Sequence, residues 1–191
     1  EACEFNRSFH NLQPTIAGIG NIEADHLDIY GSLDAVVEAF AHFARALPSA
    51  DEGGGLIIGH DGAHRREVTA GLSAPVETIG FSPQAGWVVA AEGRTGTVSV
   101  RKGEAIQNKW QLTLPGAHNA ANSAMAFALA VTAGADPSIV ARSLSVFSGL
   151  ERRCQLLGER PIAGGSVRVY DDYGHHPTEV ETTLRALREH D

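Results

Sequence analysis

The chain has 191 residues, 43% of them hydrophobic, and a formal net charge of −8. That supports one full domain, or one domain and part of another, and argues against disorder. The negative balance disfavours a broad nucleic-acid surface, which needs clustered Lys and Arg, and no run of about 18 apolar residues is present to span a membrane.

No secretory signal opens the chain, which starts Glu1-Ala-Cys-Glu4 without a Met. A piece of a longer polypeptide is the expectation. Cys3 and Cys154 lack CxxC spacing and read as free thiols in a reducing cytoplasm. Lys102 and Lys109 are the two lysines, and neither follows a glycine. No GxxxxGK[ST] phosphate loop therefore occurs in these residues.

In chain order, the apolar run Thr15–Gly20 follows Pro14 and predicts a buried strand. Its carboxyl end carries Asn21, Glu23, Asp25, His26 and Asp28. In α/β proteins chemistry collects beyond such strand ends, although a plain polar turn uses the same residue types. Ser32 is placed to cap a helix with its apolar stripe at Leu33, Val36, Val37, Phe40, Phe43 and Leu47. Leu56–Gly59 predicts a second buried strand, with a helix across 62–72. The runs Val76–Phe81, Trp87–Ala91, Thr97–Arg101 and Trp110–Leu114 predict a small antiparallel section.

Two helices follow, over 119–133 and 137–146, and Phe147-Ser-Gly149 reads as a hinge. Ser166–Tyr170 predicts a strand that ends in Asp171-Asp172-Tyr173-Gly174-His175-His176-Pro177. Thr178 and Glu181 match a capping box for a last helix with apolar face Val180, Leu184 and Leu187. A single β-α unit of this size leaves most of its apolar surface uncovered. It is expected to be truncated, or completed by a neighbouring molecule.

Polar groups thus cluster at three element ends. Glu1 with His26 can hold a hard cation, and manganese tolerates the imidazole better than magnesium does. An acidic site needs such an ion, because a carboxylate and a phosphate about 4 Å apart repel by roughly 4 kcal/mol at a dielectric near 20. Asn119 and Asn122 lie three apart on one helix face and can read an adenine edge, while Asn119 alone also fits an N-cap. Arg152 and Arg153 after the hinge can clamp a phosphate or simply be solvated. Asp172, Tyr173 and His175 sit at the last strand end.

The strings EACE, NIEADHLD, GAHNAAN, GLERRCQ and DDYGHHPTEV, in this order, resemble the Mur ligases of peptidoglycan synthesis. Within that family they are most like the branch that joins L-alanine to UDP-N-acetylmuramate. The resemblance implies an α/β fold in two parts. Residues 1–149 would be the later part of a central P-loop-NTPase-like ATPase domain, with a mostly parallel sheet and a small antiparallel section. Residues 150–191 would be the first β-α unit of a Rossmann-like domain.

It also implies ATP and Mg2+ (or Mn2+) as cofactors, with UDP-N-acetylmuramate and L-alanine as substrates. In that family ATP phosphorylates the substrate carboxylate, the amine of L-alanine attacks the acyl phosphate, and phosphate leaves as the amide bond forms. By the same likeness, Glu1 and His26 are metal ligands, and Asn119 and Asn122 contact adenine. Arg153 approaches the ATP phosphates and Asp172 helps hold the nucleotide. Tyr173 and His175 line the amino-acid and muramyl-carboxylate end, and Asn21 supports the metal site. The resemblance implies His26, Arg153 and His175 as the catalytic set.

No phosphate loop is present, so the isolated piece is expected to be inactive and to bind ATP weakly. The carbamylated lysine of several family members has no counterpart, since no lysine lies near position 40, which agrees with the alanine-adding branch. Three readings compete with the alanine ligase. One is a recycling ligase that attaches a tripeptide, and another is a non-catalytic nucleotide- or metal-binding module. The third is a zinc protein using His26, His118, His175 or His176 with Cys154.

Overall fold

Strand residues of this chain alternate between two apolar layers. In β1 (Ile16–Ile19) and β2 (Gly55–Gly59), Ala17, Ile19, Leu56 and Ile58 join one buried cluster, and Ile57 joins the other. A sheet apolar on both faces must be covered on both. The computed structural model, which describes residues 2–93 and 95–190, shows how.

The sheet continues through β3 (Val76–Gly80), β4 (Trp87–Glu92), β5 (Thr97–Lys102) and β6 (Ala105–Gln111), in spatial order β1-β2-β3-β4-β5-β6. The first four strands are parallel neighbours, and β4, β5 and β6 pair antiparallel. The antiparallel section is therefore smaller than its four apolar runs suggested. β3 and β4 overlap only at Ile79↔Trp87 and Gly80↔Val88, so the loop 81–86 joins them in parallel without a helix. The last strand lies earlier than Trp110–Leu114, because polar Gln107, Asn108 and Lys109 hid its start.

One face is covered by a 3-10 segment Phe5–Asn11, a single turn α1 (Leu27–Tyr30), α2 (Leu33–Arg45) and α3 (Arg65–Thr69). The Ser32 side chain accepts the Ala35 N–H, as its spacing predicted, and Val36, Val37 and Phe43 are buried. Each such side chain contributes about 1.5–3 kcal/mol by leaving water. The helix predicted across 62–72 is confined to α3.

The opposite face packs on α4 (Ala117–Thr132) and α5 (Pro137–Val146). Small residues Ala120, Ala124 and Ala128 let α4 lie close to the strands. Phe127, fully buried, stacks on Trp110 at 5.0 Å between centroids and meets Trp87 edge-on at 6.4 Å.

After the linker, β7 (Gln155–Ile162) and β8 (Gly165–Asp171) form an antiparallel hairpin, followed by α6 (Pro177–His190). The sequence reading assigned no strand at β7, because Gly158 and Pro161 interrupt its pattern. Its Leu156/Gly158 register shift is the kind of irregularity that glycine marks. The capping box is also displaced. The backbone N–H groups of His175 and His176 donate to Glu179, at 3.2 and 3.5 Å, while Glu181 pairs with Arg185. With Pro177 first in the helix, Glu179 is the third residue and Thr178 lies inside it. The inward face of α6 is centred on Ala186, 3% exposed, whereas Leu184 is 61% exposed.

Candidate functional site

Residues around the six-stranded sheet and residues of the β7–β8–α6 segment border one cleft of about 780 Å³, lined among others by Asn21, Glu23, Asn119, Asn122, Arg153 and Asp172. The loop after β1 forms one wall. The start of α4 forms the floor, and the β8–α6 junction faces the loop. Gly116 permits the approach of α6: a Cβ there would sit 2.6 Å from that of Ala186 and 2.8 Å from the His118 ring.

Glu23 ties the two walls together. One carboxylate oxygen accepts from Asn21 Nδ2 and the other from Thr178 Oγ1, both at 2.6 Å. Asn21 thus braces the acidic loop.

His26 begins α1 in the left-handed region, at φ 51°. Its Nε2 lies 3.3 Å from Glu4 and its Nδ1 lies 3.8 Å from Asp25. The ring also meets Phe5 edge-on at 5.2 Å. Glu1, expected to share a metal with His26, lies outside the described residues. Glu4 was not singled out from the sequence, although it belongs to the same EACE string. The side chains around His26, two carboxylates and the imidazole of His175, suit a divalent cation.

Asn119 does not cap α4. It sits inside the helix, which starts at Ala117, and its Nδ2 donates to the Pro115 carbonyl at 2.7 Å. That fixes the amide and leaves its oxygen for the cleft, which exposed Asn122 also borders. His118 lies beside them with Nδ1 buried and without a hydrogen-bond partner among the described residues. Burial pushes its pKa down, against a smaller upward pull from Asp172.

Asp172 braces the linker. One carboxylate oxygen accepts from the Cys154 N–H and the other from the Gly174 N–H, each at 2.7 Å. Cys154 is buried, and burial, helped by Asp172, raises its thiol pKa. Arg153 borders the cleft, half exposed, with Nη1 3.5 Å from Glu179. Tyr173 is exposed and is not among the residues lining the cleft; its ring lies 4.7 Å from the Arg152 guanidinium and 5.8 Å from that of Arg153. It meets the His175 ring edge-on at 5.3 Å. His175 reaches across to Asp25.

The zinc reading with Cys154 is not what the geometry gathers. Among the described residues, the cluster with ligand spacing is Asp25, His26 and His175. His176 turns towards Glu23 instead, at 3.7 Å. No helix among the described residues is long and apolar enough to cross a membrane.

The Mur ligase middle domain family matches residues 2–130. A UDP-N-acetylmuramate–L-alanine ligase of Paenarthrobacter aurescens is 42% identical over 98% of this chain and 40% of that protein. A ligase of the same name from Halorhodospira halophila is 37% identical over 98% of this chain and 39% of that protein. The chain thus spans about 40% of the length of these relatives. The crystal structure of a UDP-N-acetylmuramate-alanine ligase from Thermotoga maritima is 25% identical, with a TM-score of 0.72 over 96% of this chain and 40% of that one. From the match over its first 130 residues, with a fold and sequence shared along nearly its whole length, the chain belongs to the Mur ligase middle domain family.

Proposed function

We propose that these residues work in an ATP-dependent ligase that joins L-alanine to the carboxylate of UDP-N-acetylmuramate. Identity of 42% with an enzyme of that name, over 98% of this chain, carries the reading. The cleft supports it, because Asn119, Asn122, Arg153 and Asp172 border a single space. On this reading residues 1–149 are the later part of the central domain and 150–191 begin the next.

The chemistry needs a nucleotide held in place, a carboxylate made reactive by phosphorylation and an amine brought to it. Asn119 and Asn122 would meet the adenine edge with paired amide donors and acceptors. Arg153 is held by a long contact to Glu179, an exposed pairing worth little, and is free to exchange it for a phosphate oxygen. Asp172 supports the nucleotide by fixing the linker on which Arg153 sits, through the Cys154 amide. Tyr173 and His175, in the segment that follows β8, would orient the amino acid and the muramyl carboxylate. A divalent ion, Mg2+ or Mn2+, would be held by His26 together with Glu1, and supplies charge neutralisation for the transferring phosphoryl. The role of the chain is positioning and electrostatic stabilisation.

The chain contains no GxxxxGK[ST] loop, so by itself it should show no ligase turnover. The test is phosphate release by the full-length protein with ATP and UDP-N-acetylmuramate, with L-alanine or a tripeptide added. Alanine-dependent release is expected. Preference for the tripeptide rejects the alanine assignment, and release with neither points to a non-catalytic binding module.

A further inference from the structure

Two histidines from opposite sides of the cleft aim at one carboxylate. Asp25 and His26 lie on the loop after β1, and His175 follows β8. Ligand atoms of the three residues all lie within 4.8 Å of one another. His26 Nδ1 is 3.8 Å from Asp25 Oδ1, and His175 Nε2 is 4.0 Å from Asp25 Oδ2.

The other nitrogen of each ring is already engaged. His26 Nε2 faces the Glu4 carboxylate at 3.3 Å. His175 Nδ1 lies 3.3 Å from the Tyr173 carbonyl, which only accepts, so this nitrogen carries the proton. The remaining nitrogen of each ring faces Asp25. An imidazole whose far N–H is held by a carboxylate or a carbonyl is the arrangement found around metal-bound histidines. Asp25 is also oriented, because its Oδ1 accepts the His26 N–H at 2.7 Å.

We infer that Asp25, His26 and His175 form a site for a borderline divalent transition metal, Zn2+ or Co2+, which clasps the β1 loop to the β8–α6 junction. Two nitrogens and one carboxylate oxygen suit such ions better than magnesium, which prefers oxygen ligands. Three protein ligands leave a position open to solvent or to an anionic group. The site goes beyond the ligase reading and does not rest on it. The two meet at His26, so filling the clasp withdraws that imidazole from any ion shared with Glu1.

The test is titration of the nucleotide-free protein with Zn2+ by calorimetry, and with Co2+ by visible absorption. One equivalent is expected to bind, with the intense d–d bands of four-coordinate Co2+ and protection of the linker 147–153 from protease. His175→Ala and Asp25→Asn should each weaken binding at least tenfold and abolish the protection, with far-UV circular dichroism unchanged. His42→Ala is the control: it removes the surface His10–His42 pair, whose rings are 4.5 Å apart, and should change nothing. Unchanged affinity in both His175→Ala and Asp25→Asn, loss of binding in His42→Ala, or no stoichiometric binding overturns the site. None of these readouts needs ATP or turnover, so they separate this site from the ligase assignment.

Discussion

Glu23, just beyond the first strand, accepts a 2.6 Å hydrogen bond from the hydroxyl of Thr178, in the first turn of the last helix. The two residues are 155 positions apart. A bond to a charged acceptor at a partly exposed site is worth about 1 kcal/mol. Thr178→Val and Glu23→Gln should each destabilise the protein, and a double-mutant cycle in urea should give a coupling of about 1 kcal/mol. Strict additivity of the two changes would show that the contact contributes nothing.

Asp172→Ala should loosen the linker locally. It removes the acceptor of both the Cys154 and the Gly174 N–H groups, at about 1–3 kcal/mol for each donor left without a partner and shut off from water. Hydrogen exchange at these two amides should accelerate while amides of the central sheet keep their rates. Equal acceleration throughout would mean that the two units unfold as one.

Two glycines of the parallel sheet should respond differently to alanine. A Cβ at Gly59 would lie 2.1 Å from the Gly20 carbonyl oxygen, which is backbone and cannot step aside. At Gly18 the close atoms are Leu129 Cδ1 at 2.8 Å and Met125 Sδ at 3.1 Å, both near the ends of flexible side chains. Gly59→Ala should cost at least about 2 kcal/mol and Gly18→Ala less than about 1.5 kcal/mol, by denaturant midpoint.

Stability should fall on both sides of neutrality. His118 is held below its ordinary pKa by burial, so the unfolded chain takes up the proton first. Its contribution is complete above about pH 6.5 and declines as the pH drops from there towards the lowered folded value. Cys154 is held above its ordinary value, so the unfolded thiol ionises first and stability declines as the pH rises beyond about 8.5. Thermal midpoints across pH should flatten on the acid side in His118→Gln and on the alkaline side in Cys154→Ser.

Phe127→Ala should cost about 3–5 kcal/mol. The ring is fully buried between Trp87 and Trp110, so tryptophan emission should change along with the urea midpoint.

Much of this architecture was readable wherever one local rule decided the outcome. Ser32 capped its helix as its spacing required, and Pro137–Val146 kept its bounds because Asp136 caps it and Pro137 fits the first turn. Failures came where tertiary pairing overrode pattern. Val76–Gly80 looks like any short strand, and only its neighbour β2 makes it parallel. Gln155–Ile162 is broken by Gly158 and Pro161, yet it pairs along its length with β8. Glu179 outranked Glu181 as the capping carboxylate because Pro177, not Thr178, opens the helix.

The cluster 21–28 stood out by composition alone; Asn119, Asn122, Arg153 and Asp172 border one cleft, while His26, Tyr173 and His175 are not among its lining residues. What sequence could not supply was which groups face each other. Glu4 beside His26, Thr178 against Glu23 and His175 opposite Asp25 all depend on how the last unit settles on the sheet.

The order of the strands in the sheet repeats their order along the chain. Every ladder therefore closes a loop between consecutive strands, and no strand must wait for a distant one before finding its place. Loop closure is cheapest in the β4–β5–β6 meander, whose turns are short. This meander can nucleate first, with β3, β2 and β1 added in turn as their crossovers collapse. The acidic loop beyond β1 would then be among the last parts to acquire its shape, after the tryptophans of the meander have been buried.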